Sequence, residues 1–441
     1  MPDVLYGELN DLYNRIMIRK KLIIATGIFI FLFFGNYTGF AQSEPLTLTQ
    51  CYELVRQNYP LIKSRELVKQ TGEYSLDNTK TAWLPNISLN AQYTNQSDVT
   101  SVPLKIPGQV IPQIDKNQYK VYTEASQVVY DGGAISNQKK TLEAQTKIEE
   151  ESIEVELYKL NERINQIYFG ILLLNGQLKQ SAILKSDIQT GLTKTEAAFV
   201  NGIVLKSNVD AIKAELLKTD QRITELQSAR TAYINMLGTF INQSLNDQTE
   251  LEMPPSIKIS AEIKRPELLL YDARLMSTAI QSRSITSRNL PRLSLFFQGG
   301  YGLPALNMLN PDADTYYIAG VKFAYPLTGF YNLNRDRSIN KLARENIEVQ
   351  KEIFLFNTHL QITQQSAELV KTEQLIKYDD EIVELRESIK QASLAQLENG
   401  VITSADYLRE VNAADNARQM KLIHEIQLLL TQYNHQILTG K

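Results

Sequence analysis

Three histidines, His359, His424 and His435, and one cysteine, Cys51, are the chain's only sources of imidazole or thiolate chemistry. Two histidines on one helix hold a metal best at i, i+4. His424 and His435 stand eleven residues apart, and all three lie in helical patterns that read as solvated or tunnel-lining. One cysteine builds neither an intramolecular disulfide nor a cysteine zinc cluster. Cys51 falls in the apolar spacing Leu48, Cys51, Leu54, Val55, the packed face of a helix. There is no Gly-x-Ser-x-Gly elbow and no phosphate-binding glycine loop. Gly299-Gly300-Tyr301-Gly302 comes at a strand end and reads as a flexible rim or loop. The residues predict no catalytic site, no cofactor and no metal, so the chain reads as a non-enzyme.

The elements therefore carry the argument. In 441 residues, 46 basic side chains stand against 49 acidic ones, and no basic face is concentrated enough for nucleic acid. Apolar residues make up 43% and mean hydropathy is −0.25. Any membrane-embedded part must then be small, or alternate in polarity as a β-barrel does. Residues 17–41 have the form of an export signal: Arg19-Lys20-Lys21, an apolar run from Leu22 to Phe34, and Gly39 and Ala41 at a cleavage site. Cleavage is expected between Ala41 and Gln42, without lipidation.

The chain repeats itself. Leu84-Pro85-Asn86-Ile87-Ser88-Leu89 is matched by Leu290-Pro291-Arg292-Leu293-Ser294-Leu295, and each follows another proline, Pro60 or Pro266, by 25 residues. Asn201-Gly202-Ile203-Val204 is matched by Asn399-Gly400-Val401-Ile402. These landmarks predict an N-terminal extension and signal at 1–41, a first repeat at 42–241, a linker at 242–264 and a second repeat at 265–441. Each repeat holds a helix, a strand pair, a long helix and a returning helix.

No proline occurs between Pro112 and Pro254 or after Pro326. An interior proline costs a helix about 3 kcal/mol, so these runs permit unbroken helices. Leu160, Ile164, Ile167, Ile171, Leu174 and Leu178 form a coiled-coil seam, continued on the returning helix by Val209, Ile212, Leu216, Ile223 and Leu226. A helix from about 134 to 199 is roughly 100 Å long, which suits a rod or a tunnel wall. Gly170 and Gly176 read as its weak points.

After Pro85 and Pro291 the period changes from 3.6 to 2. Strands are expected at about 86–95, 119–130, 292–301 and 315–325. Aromatics crowd their ends: Trp83, Tyr130, Tyr325 and Phe330 at one, Tyr93, Tyr119, Tyr301 and Tyr316 at the other. Such girdles mark membrane interfaces. Four strands cannot close a barrel in lipid, so several copies must share one. A different reading is an exported coiled-coil scaffold whose β-segments pair outside the membrane.

The pattern resembles the TolC-type outer-membrane efflux protein family from about 46 to 440. The residues that carry it are Leu46-Thr47-Leu48-Thr49-Gln50-Cys51 with Asn58 and Pro60, the two Leu-Pro entries, Val129-Tyr130-Asp131-Gly132-Gly133, both Asn-Gly hairpins and Leu438-Thr439-Gly440. Tyr325-Pro326-Leu327-Thr328-Gly329-Phe330 departs from the Asp-Gly-Gly form of the first turn. The resemblance implies a mainly α fold: a homotrimeric helical tunnel in the periplasm below a shared 12-stranded outer-membrane β-barrel. It implies a passive conduit, with a periplasmic adaptor and, through it, an inner-membrane pump as partners. Gly202 and Gly400 would be the adaptor-docking tips. Asp406 would belong to an entrance constriction, with Arg409 one turn on able to pair with it. Thr403-Ser404-Ala405-Asp406 also has the form of a helix capping box.

Overall fold

The computed structural model describes residues 45–101, 103, 107–108, 113–259 and 262–440. The proposed cleavage site at Ala41 and Gln42 lies outside them. Helices α1 (Leu48–Asn58) and α2 (Leu61–Lys80) are separated at Tyr59 and Pro60, where the chain turns extended for one residue. Strands β1 (Asn86–Asn95) and β2 (Asn117–Tyr130) lead into α3 (Ala134–Val200), which returns as α4 (Lys206–Ile241). The second half repeats the plan with α5 (Pro266–Ser287), β3 (Arg292–Leu303), β4 (Asp314–Ala324), α6 (Phe330–Glu398) and α7 (Ser404–Thr439). No described helix is long and apolar enough to cross a membrane.

The two long helices begin differently. At α3, Asp131 accepts hydrogen bonds from the Gly133 and Ile135 amides at 2.8 and 2.5 Å, covering free N–H groups of the first turn. Gly132 and Gly133 take positive φ there, and Gly132 lies against Leu290. At α6, the Leu327–Gly329 turn makes the entry without a side-chain cap.

Packing follows the topology. The sheet order is β1-β2-β3-β4, all antiparallel. Beneath it, α2 packs on α3, α3 on α5 and α5 on α6, so each strand continues into a helix of the same rank. Further along, α4 packs on α3, α3 on α7 and α7 on α6. From Thr47 on, these neighbours make the described residues a wall. Its flanks are α2, α4 and β1 on one side and α6 and β4 on the other.

Gly170 and Gly176 do not break α3, which runs through both. They are sockets. A Cβ at Gly170 would lie 2.5 Å from the Tyr233 ring, and one at Gly176 would lie 2.6 Å from Leu422. Absence of a side chain lets the neighbouring helix approach. The Gly299–Gly302 run is likewise no rim loop. It lies within β3, where a Cβ on Gly300 would meet Tyr122 at 2.5 Å.

The histidines also depart from expectation. His359 faces solvent, but His435 is buried and His424 Nδ1 pairs with Asp379 Oδ2 at 2.5 Å. Helices packed on two neighbours leave few solvated positions, so polar residues in the seam are drawn inside. Burial holds the His435 imidazole below its ordinary pKa of 6.5. The folded state therefore binds fewer protons than the unfolded chain as pH falls through 6.5. Stability is lost on that acid side. His435→Gln is expected to flatten the thermal-melting profile between pH 7 and 5, by up to about 1.4 kcal/mol per pH unit. A wild-type profile of equal slope would contradict this.

Candidate functional site: the paired hairpin tips

Both long helices end in the same way. Gly202 and Gly400 take φ of 75° and 68°. The amides of Gly202 and Ile203 bond Phe199 and Ala198 carbonyls at 2.9 Å each. Those of Gly400 and Val401 bond Leu397 and Gln396 at 3.1 and 2.8 Å. This is the Schellman motif, in which a left-handed glycine closes the last helical carbonyls and reverses the chain. A Cβ at either glycine would meet nothing within 4 Å, so only the backbone conformation demands glycine there.

The returning helices start unequally. Leu205 precedes α4 and offers no side-chain cap. Thr403 precedes α7 in a full capping box: Asp406 N–H donates to Thr403 Oγ1 at 3.2 Å, and Thr403 N–H donates to Asp406 Oδ2 at 3.2 Å. Thr403 Oγ1–H also reaches Asp406 Oδ2 at 2.7 Å. Arg409 Nη1 stands 3.2 Å from Asp406 Oδ1. The hydrogen bonds from Thr403, then the Arg409 charge, hold the Asp406 carboxyl below its usual range. The same Arg409 reaches Glu410, which Arg386 also approaches. Asp406 is thus both a helix cap and one half of an ion pair.

Between the tips lies a groove of about 400 Å³, with Lys194, Ala198 and Asn208 on one side and Asn399 and Thr403 on the other. Lys194 and Glu398 bridge it at 3.0 Å, and the buried Thr195 and Ser404 hydroxyls meet at 3.5 Å. Its rim is apolar: Ile203 is 66% exposed, Leu205 73% and Val401 71%. Behind the groove, Tyr407 lies buried on Gly191 and donates its hydroxyl to the Asp187 carbonyl at 2.8 Å. A Cβ on Gly191 would collide with the Tyr407 ring.

At the other end, sheet register assigns the aromatics to faces. Tyr93 is opposite Tyr119, and Val121 opposite Tyr301, so these tyrosines share the face of Ile87, Leu89 and Phe297. The Tyr119 and Tyr301 rings are 6.4 Å apart. Tyr316 departs from the expected girdle. It pairs with Gly300, which faces Tyr122, and so lies on the polar face with Lys120 and Glu124. Tyr317, paired with Gly299, is the aromatic on the apolar face. Tyr317 shares the parity of Val321 and Phe323, and Tyr316 does not. Trp83 is exposed just before β1, Tyr130 ends β2 past a bulge, and Tyr325 and Phe330 stack edge to face at 6.0 Å.

Cys51 is fully buried, and burial pushes its thiol up to about 12, far from nucleophilic use. Among the described residues, no three His, Cys, Asp or Glu side chains gather at metal-binding range.

Residues 51–243 match the outer membrane efflux protein family. No curated protein sequence matches the chain. Its fold is similar to the Campylobacter jejuni CmeC outer membrane channel, at 15% identity and TM-score 0.65, covering 89% of this chain and 85% of that one. The Vibrio cholerae outer membrane protein VceC gives 14%, TM-score 0.65, and 89% and 96% coverage. The open state of the Neisseria gonorrhoeae MtrE outer membrane channel gives 12%, TM-score 0.64, and 89% and 88%. This is a TolC-type fold. The family match covers residues 51–243, and the architecture shared with these channels covers 89% of the chain. Sequence reasoning missed the Gly191–Tyr407 socket of this fold. Its only sequence signal is a glycine inside a helical seam, which does not name the partner.

Proposed function

We propose that the chain is the outer-membrane subunit of a tripartite efflux or type I secretion system, a passive conduit from periplasm to exterior. The observation that carries this reading is the wall with two unfinished flanks. β1 and β4 each leave a row of backbone groups unpaired within the chain, which lipid does not tolerate. Along the same flank as β4, α6 exposes Ile339, Leu342, Val349, Ile353 and Phe356, which step by 3, 7, 4 and 3, then Tyr378, Ile382, Leu385 and Ile389. A soluble monomer rarely shows so long an apolar stripe. A second copy, placed head to tail, presents β1, α2 and α4 to it. Rotation then closes a ring.

Three copies give 12 strands, above the roughly eight that a closed membrane barrel needs. The two repeats, 42–241 and 265–441, alternate around this ring. The mature chain begins at Gln42, and its barrel stands in the outer membrane. The tips at Gly202 and Gly400 face the periplasm, where their apolar rims receive an adaptor that links the channel to an inner-membrane pump. Detergent-corrected light scattering of the purified protein should give three chains. A membrane-inserted monomer would overturn the reading.

Asp406 lines the entrance in this assembly as a neutral pair with Arg409, so the resting entrance is not an acidic ring. Arg409→Ala should free the carboxylate and raise cation selectivity in planar bilayers, most visibly at low salt. Asp406→Asn in the same chain should abolish that gain. Equal selectivity in all three proteins would leave Asp406 a helix cap alone.

A further inference from the structure

Two helices in succession fill the slot between α3 and α6. One is α7, which packs on both and ends at Thr439; the other is α5, which packs on both from Pro266 on. They meet end to end. Lys264 N–H donates to the Thr439 carbonyl at 2.6 Å, and a Cβ on Gly440 would collide with Lys264 and Arg265. Two helix ends do not fill a slot as one continuous helix does. At the junction a crevice of about 430 Å³ opens between α3, α6 and α7, with Arg265 at its edge. That is within the usual range of small-molecule sites.

Elsewhere in the wall, buried charge closes on itself, as where Arg222 meets the buried Asp415 at 3.2 Å. In the crevice the polar groups stay open. Gln361, Gln364 and Gln365 of α6 and Gln427 and Asn434 of α7 line it with amides. Gln365 Oε1 is closed off from solvent and accepts no hydrogen bond, a state that buried polar groups ordinarily avoid. Its amide turns easily about the last side-chain bond, so a donor in the crevice can claim that oxygen. Asn434 Oδ1 already accepts from Asn165 Nδ2 at 2.9 Å, which leaves its N–H groups to donate. Tyr158 and Leu438 add an apolar floor, with the Tyr158 hydroxyl donating to the Ile437 carbonyl at 2.7 Å.

The charges around it are spoken for. Arg265 pairs with Glu267, Glu368 with Lys371 at 2.6 Å, and Lys159 with Glu156 at 2.7 Å. Among the described residues, only the exposed Glu162 of this lining has no ion pair. An anion would therefore find no free cation. Each amide sets a donor beside an acceptor, and a hydroxyl group both donates and accepts. A neutral ring with several hydroxyl groups matches the amides with its edge and the apolar floor with its C–H face.

We infer that this crevice is a carbohydrate site. Sugar hydroxyls bond the Gln361, Gln365 and Asn434 amides, and the ring lies on Tyr158 and Leu438. The site is built within one chain. It stands whether or not copies close a ring, which light scattering tests separately.

Saturation-transfer NMR on the purified full-length protein tests it, in lauryldimethylamine oxide so that no sugar headgroup competes. Cellotriose should give saturable transfer. Gln365→Leu should weaken its binding about tenfold, the loss of one hydrogen bond. Gln364→Trp, at an exposed position on the crevice mouth, should abolish binding with the melting temperature unchanged, and Gln166→Leu, on the exposed face of α3 away from the crevice, should bind as wild type. Triglycine carries donors and acceptors without a ring and should not bind. Absence of saturable transfer, equal binding in all four proteins, or triglycine binding as tightly as cellotriose would each overturn the assignment.

Discussion

Tyr407→Ala is expected to loosen both hairpin tips by about 3–5 kcal/mol, the usual cost of emptying a buried aromatic site. In hydrogen exchange this reads as on the order of 10²–10³-fold faster exchange of amides at 184–192 and 404–411. The ring is buried on Gly191, and its hydroxyl holds the Asp187 carbonyl, so both packing and a hydrogen bond are lost. Gly191→Ala attacks the same contact from the other side. Overpacking there should cost about 1–3 kcal/mol, less than the cavity because the ring can shift. Combining Gly191→Ala with Tyr407→Leu should recover part of that loss, since the smaller side chain vacates the space of the new methyl. Purely additive effects would mean that the two residues do not share a socket. Exchange in Tyr407→Ala within threefold of wild type would show that the tip core does not depend on it.

The second large effect concerns assembly. Ile382→Glu with Leu385→Glu places two carboxylates on the exposed apolar stripe of α6. If that stripe meets a second copy, each chain buries unpaired charge at the junction, at a cost on the order of several kcal/mol per ion. The purified variant should then be monomeric in detergent at micromolar concentration, with α6 and α7 still helical by circular dichroism. Glu384→Gln, a change that adds no charge between the same two turns, serves as the control and should stay trimeric. A double variant that assembles and melts like wild type would remove α6 from the interface.

Punctuation made the helices legible. The proline-free runs and the Asn-Gly pairs mark where α3 and α6 stop, because a left-handed residue is strained for most side chains and free for glycine. Alternation made the strands legible, but Tyr316 shows its limit. An aromatic chosen for its place at a strand end need not lie on the apolar face: counting back by twos from Phe323 and Val321 reaches Tyr317, and the pairing of Tyr316 with Gly300 agrees. The candidate site was legible at Gly202, Gly400 and the Thr403–Asp406 box, all local features. What stayed hidden is what depends on the neighbour of a helix. Gly170, Gly176 and Gly191 look alike in sequence, yet each accepts a different side chain from elsewhere in the chain. His435 and Asp415 carry no local sign of burial, since a charged or polar residue at a seam position looks like a solvated one until its neighbours are in place.

The order of the sheet has a consequence for how the chain acquires its structure. Each long helix and its returning helix are adjacent in sequence, so both hairpins can form from short-range contacts. The β2–β3 ladder instead joins Ser126 to Phe296, closing a loop of about 170 residues, and such a closure waits on the entropy it must overcome. The hairpins should therefore come first and the four-stranded sheet last. Until that ladder zips, each half offers lipid only a two-stranded ribbon with both edges bare. In the proposed assembly, insertion then waits both on this ladder and on the pairing of β1 with β4 of another copy, and a half-length fragment should not insert however well its helices fold.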